Sequence, residues 1–215
     1  MKTYFENEFF LVVEKPSGWL TVPSRFPSDP RPCLFSQLKE KGFVLPVHRL
    51  DESVSGLVLF AKTKEAQREA NRWFEGRCVK KTYEAITTFT TSEIPNKGSE
   101  FFWESKISKG KRRAYATSWG KLTQTKAVYK EDLFIKGKQL GFWNLFPLTG
   151  RSHQLRYELS TRGFPIVGDI LYGGEPYRPN EILLKATSLS FSTDGNAWGL
   201  PETIQCESLR YFPNE

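Results

Sequence analysis

Apolar residues along this chain come mostly in short runs bounded by turn residues, and they fall at helical spacing in only two places. The stretch EFFLVVEKPSGWLTV predicts a strand, a turn at Pro16 to Gly18 and a second short strand. The run from Gly56 to Ala61 is short, β-branched and aromatic, which predicts a buried strand. Beyond it, Ala66, Ala70, Trp73 and Phe74 recur at helical spacing with Thr63 as N-cap and Gly76 as stop, so a helix packs on the sheet. VKKTYEAITTF, 79–89, returns to period two and puts Tyr83, Ala85, Thr87 and Phe89 on one face. Strands are expected at 100–107, 123–130, 131–136 and 139–146, the last pair turning through Lys136-Gly137-Lys138. TGRSHQLRYELSTRG, 149–163, reads as the second helix, from Leu155 and Leu159 with Ser152 as cap and Gly163 as stop. Strands at 182–191 and 203–209 finish the chain. Long runs of strands broken by two helices predict an α+β fold, with a mixed, mainly antiparallel central sheet and flanking helices and loops. Pro23, Pro27, Pro30 and Pro32 keep 23–32 out of any sheet interior and make it a mobile surface loop.

Two places in this pattern concentrate charge. In PVHRLDESVSGLVLFAKT, 46–63, the loop from His48 to Ser55 leads into the buried strand and carries Arg49 and Asp51. Loops at strand ends commonly carry function. The plain alternative is that Asp51 satisfies turn N–H groups and Arg49 neutralises it. The second cluster, Arg151, His153 and Arg156 after Gly150, sits at a helix start, where anions are favoured. That anion is an RNA phosphate or the carboxylate of Asp51. His48 and His153 are the chain's two histidines, and without nearby acids they make a poor metal site.

Composition narrows the classes. The 215 residues suit one large domain or two lobes sharing a sheet, with a substantial core. Three widely spaced cysteines, Cys33, Cys78 and Cys206, support neither a disulfide framework nor a zinc site and fit a reducing cytoplasm. FFLVV lies between Glu8 and Glu14, which excludes a signal peptide or membrane span there. A net charge of +7, a pI near 9.3 and 14% aromatic residues lean toward a polyanion. The segment KISKGKRRAY, 106–115, holds Lys106, Lys109, Lys111, Arg112 and Arg113 without an acid, which makes it either an RNA-gripping loop or a solvated surface.

HRLDESVSGLVLFAKT resembles the catalytic motif of the RluA-type pseudouridine synthases. Further stretches agree in order: VVEKPSGWLTVP with the family's opening motif, KKTYEAI with its tyrosine motif, LTGRSHQLRYELSTRGFPIVGDILYGG with its arginine motif and following GD-x-x-YG, and ILLKATSLSF with its closing strand. Several ordered motifs are far more specific than one. The resemblance implies a single pseudouridine synthase catalytic domain over 1–215, a short form without the family's small N-terminal S4 RNA-binding domain. It further implies an enzyme that isomerises uridines of ribosomal or transfer RNA with no metal or cofactor. Asp51 is then the essential carboxylate, acting near the ribose C1′, and Arg151 pairs with it. Tyr83 packs on the uracil and either serves as a platform alone or helps remove the C5 proton. Arg49 helps expel the nucleotide from its stack. From the charge of the basic segment, not from the resemblance, Lys109, Lys111, Arg112 and Arg113 are expected to grip RNA. The expected protein is a cytoplasmic monomer that binds neither DNA nor membranes. Val54, Ser152 and Lys185 depart from the residues usual at their motif positions. Two rival classes are a noncatalytic RNA-binding protein or chaperone and an Asp/His hydrolase, for which no nucleophile elbow or second carboxylate motif is present.

Overall fold

The computed structural model describes residues 1–209. The strands are β1 (Thr3–Glu6), β2 (Phe10–Lys15), β3 (Leu45–Pro46), β4 (Ser55–Ala61), β5 (Lys80–Thr87), β6 (Glu100–Lys109), β7 (Ala114–Ala116), β8 (Lys121–Ile135), β9 (Lys138–Pro147), β10 (Leu184–Ser190) and β11 (Thr203–Gln205). The helices are α1 (Leu34–Lys39), α2 (Lys64–Glu75), α3 (Gln154–Ser160) and α4 (Thr193–Asn196). This is the expected α+β arrangement of many strands and few helices. The chain divides into two compact units, one of residues 1–80 and 186–206, the other of 81–185 and 207 onward.

In the first unit β2 pairs antiparallel with both β1 and β4, β3 adds to β4, and β11 pairs with β10. Residues 10–13 of β2 and 57–61 of β4 read as unbroken apolar runs because both faces there are buried. One face packs Phe10, Val12, Leu57 and Leu59 against Ala66, Ala70 and Trp73 of α2. As expected, the Thr63 hydroxyl oxygen caps α2 by accepting from the Ala66 amide at 3.0 Å, and Gly76 ends it. Gly56 is required: its φ is +118°, and a Cβ there would lie 2.2 Å from the Ala186 carbonyl oxygen. α1 was not expected from the pattern. It buries only Leu34 and Leu38, and no side chain caps its start.

In the second unit β5 pairs with β9, β9 with β8, β8 with β6 and β6 with β7, all antiparallel. The strands expected at 123–130 and 131–136 are one strand. β8 runs through a bulge between Tyr129 and Glu131, where one extra residue resets the register against β9. The β8–β9 hairpin turns at Lys136 and Gly137, both with positive φ (49° and 77°), as two-residue hairpin loops require. Trp143 is fully buried among Trp103, Tyr129 and Phe164, with ring centroids 4.8–5.6 Å away. Among the described residues no helix is long and apolar enough to cross a membrane.

Candidate active site

The loop carrying Asp51 is cross-braced to the turn after β2. Lys15, with no exposed surface, ends that strand and points its ammonium into a ring of carbonyls, donating to Pro16 O and Trp19 O at 2.8 Å and to Glu52 O at 2.9 Å. The Gly18 amide donates to the same Glu52 carbonyl at 3.0 Å, and the Ser17 hydroxyl to Ser53 O at 2.6 Å. Thr21 Oγ1 donates to Leu50 O and accepts from Leu50 N, both at 3.1 Å. His48 Nε2 accepts from the Leu59 amide at 3.0 Å, while its ring stacks on Phe74 at 4.7 Å. Every residue from Leu50 to Ser53 except Asp51 thus has its main chain tied to 15–21, and Asp51's own carbonyl closes the turn onto Val54 N at 3.1 Å. The half-buried Asp51 rides on a rigid mount, and Arg49 beside it is exposed. Arg31 of the proline-rich loop is ion-paired to Asp29 and Glu52.

Lys15 shows how tightly the mount is closed. Burial pulls its ammonium down to about 7, against the opposing pull of the Glu52 and Asp51 carboxylates. Below that pH the group is charged in both states and the native state bears the full cost of burying it. From about 7 up to its ordinary 10.5 the unfolded chain holds the extra proton, so stability rises with pH across that window. Denaturant unfolding at several pH values should show the wild type gaining up to about 2.5 kcal/mol between pH 7 and 9 relative to Lys15→Met. Parallel pH profiles for the two proteins would contradict the assignment.

The arginine motif is organised by one amide. Gln154 is buried and makes all four of its hydrogen bonds. Its Oε1 accepts from Thr149 Oγ1 at 2.8 Å and from the Arg151 amide at 3.1 Å; its Nε2 donates to Gln124 O at 3.1 Å and Thr125 Oγ1 at 2.9 Å. The Arg151 backbone is therefore fixed while its side chain stays exposed. α3 starts later than expected: His153, not Ser152, is the N-cap, in the left-handed region at φ 58°. Arg156 lies buried in the first turn, and the anion it meets is neither an RNA phosphate nor the Asp51 carboxylate. Arg156 forms a bidentate pair with the buried Asp169, Nε to Oδ2 at 2.6 Å and Nη2 to Oδ1 at 2.7 Å.

The same network explains the GD-x-x-YG stretch, whose roles the sequence left blank. Gly168 has φ 89°, and a Cβ there would sit 2.2 Å from Glu181 O. The Arg156 guanidinium lies over the Tyr172 ring, 5.1 Å from its centroid. Tyr172 Oη meets His153 Nδ1 at 3.0 Å and accepts from the Ala114 amide at 2.6 Å. Arg156 Nη1 faces His153 Nε2 at 3.4 Å, and since the guanidinium only donates, the hydrogen belongs on Nδ1. Tyr172 thereby ties the arginine motif to Ala114, the last paired residue of the β6–β7 hairpin before its tip. Lys109, Lys111, Arg112 and Arg113 line that hairpin's tip, all exposed.

Tyr83 stands on β5 opposite Leu145 of β9, sharing its face with Lys81 and Ala85. Lys81 Nζ lies 3.5 Å from where a Cβ on Gly150 would stand, so the Tyr83 face reaches the loop that presents Arg151.

Comparison with known proteins places these features. The RNA pseudouridylate synthase family profile matches residues 9–161, and the chain belongs to that family. It is an RNA pseudouridine synthase, an isomerase. The chain is 34% identical to the dual-specificity RNA pseudouridine synthase RluA of Vibrio vulnificus, over 98% of this chain and 84% of that protein. It is 38% identical to the protein of the same name from Pasteurella multocida, over 77% and 74%. Human RNA pseudouridylate synthase domain containing 1 superposes with a TM-score of 0.73 at 29% identity, covering 90% of this chain and 79% of its own. Human RNA pseudouridylate synthase domain containing 4, at 18% identity and a TM-score of 0.69, shares the fold.

Proposed function

We propose that the protein isomerises particular uridines of ribosomal or transfer RNA, with Asp51 as the essential carboxylate and both units acting as one catalytic domain. The bond from N1 to C1′ breaks, the base turns, and C5 joins C1′; the C5 proton is lost and a proton is taken up at N1, so the mass is unchanged. The observation that carries this reading is the bracing of the HRLD loop, which holds one acidic residue on a rigid mount while every neighbour's main chain is consumed. A loop built only to satisfy its own turn has no use for a buried lysine spent on three carbonyls. Arg151 pairs with Asp51 and keeps it aimed, and Arg49 helps push the nucleotide out of its stack. The relatives' dual-specificity name supports a site that accepts uridines in more than one RNA context. We place the enzyme in the cytoplasm, as a monomer that does not act on DNA.

Tyr83 supplies a ring for the flipped uracil, a stacking contact worth roughly 1–3 kcal/mol by truncation. If its hydroxyl also relays the C5 proton, Tyr83→Phe binds RNA at wild-type affinity yet stalls before product, whereas Tyr83→Leu loses affinity as well. Single-turnover pseudouridine formation measured beside RNA affinity decides this. Wild-type turnover by the phenylalanine variant would reduce Tyr83 to a platform.

The exposed hairpin tip supplies the grip. Neutralising Lys109, Lys111, Arg112 and Arg113 should weaken RNA binding and flatten its salt dependence by roughly 0.7 log units of slope per lost single-strand phosphate contact. An unchanged slope would make the tip a solvated surface.

A further inference from the structure

Among the described residues, Lys81 is a partly buried cation left without a partner, where others are matched. Lys15 has its three carbonyls, Arg156 has Asp169, and the partly buried Arg162 has Glu158. Lys81 is half-buried on β5 and has neither a hydrogen bond nor an ion pair among the described residues. Burial lowers its pKa and no neighbouring group acts in the other direction. A protein that desolvates a cation without compensation is usually holding a place for a charge that arrives later.

The position says what arrives. Lys81 shares a strand face with Tyr83, two residues along, and its ammonium lies over the backbone of Gly150, 3.5 Å from the point a Cβ would occupy. An aromatic ring, a lysine and the loop presenting Arg151 therefore adjoin one another within this unit. We propose that Lys81 is a substrate-binding residue that takes a backbone phosphate of the RNA next to the target uridine. This deepens the proposed function and rests on its reading of Tyr83 as the uracil platform. Flipping a base out of its stack swings the sugar–phosphate backbone with it, so an anion is brought to whichever face receives the base. A phosphate carries the full charge that offsets a buried ammonium, which a neutral uracil carbonyl does not, and lysine serves as a point charge for it.

The test compares Lys81→Met, Lys81→Gln and Lys81→Arg with the wild type. The probe is a uridine-containing single-stranded RNA oligonucleotide, with affinity measured across a series of KCl concentrations. Thermal unfolding of each protein is recorded beside it. Met and Gln should cut the slope of log affinity against log salt by about 0.7, the value for one single-strand phosphate. Arg should restore the slope. Met and Gln should also melt no lower than the wild type, because each removes an uncompensated buried charge. An unchanged slope overturns the proposal. So does a lowered melting temperature in both neutral variants, which would make Lys81 a structural residue of β5. Pseudouridine formation by the wild type in total RNA is scored separately: its absence, with the slope effect intact, counts against the catalytic reading and not against the phosphate site.

Discussion

Asp51→Asn should leave a folded, RNA-binding protein that makes no measurable pseudouridine. The asparagine side chain has nearly the same shape, so the loop geometry survives. The bonds that fix that loop run through Lys15, Ser17, Gly18, Thr21 and His48 and use the main chain of its neighbours. What disappears is the carboxylate that acts at C1′. A loss of at least about 1,000-fold in single-turnover rate is expected, equivalent to roughly 4 kcal/mol of barrier. RNA affinity and the unfolding midpoint should stay close to wild type. Product formation within tenfold of wild type would remove Asp51 from the chemistry.

The second large effect is on stability. Arg156→Met leaves the carboxylate of Asp169, 1% exposed, without its bidentate partner. Breaking one side of a buried pair typically costs about 3–5 kcal/mol because an uncompensated charge stays behind. The same change strips the cation from the Tyr172 ring and from His153, loosening the link to Ala114 beside the hairpin tip. Urea unfolding should show this loss, and Arg156→Met combined with Asp169→Asn should lie closer to wild type than Arg156→Met alone. If Arg156→Met stays within 1 kcal/mol of wild type, the pair is not holding the motif together.

What could be read from the sequence, and what could not, follows from the reach of each signal. Period two and period 3.6 are local, so β4, β9 and the capped α2 are legible from their own residues. The charge-rich HRLD loop stands out because polar residues crowd against an apolar strand. Lys15 does not stand out, since a lysine at the end of an apolar run reads as a solvated strand end. Only chain closure brings the carbonyls of Trp19 and Glu52 over it. β8 was divided because Lys130, Glu131 and Asp132 interrupt its apolar pattern, whereas a bulge absorbs the interruption without ending the strand. Arg156 groups by sequence with Arg151 and His153 because its true partner, Asp169, lies 13 residues further on, beyond the reach of a local pattern. Asp169 and Tyr172 carried no local chemistry at all; their partners lie 13 residues or more away along the chain.

Whether this chain isomerises uridine within RNA is tested most directly by mapping pseudouridines in total RNA from cells lacking the gene, before and after incubation with the purified protein. New pseudouridines are expected at a small set of discrete positions, with RNA mass and chain length unchanged and no such gain with Asp51→Asn. Unaltered RNA from the wild-type protein, release of free uracil, or cleaved strands would contradict it.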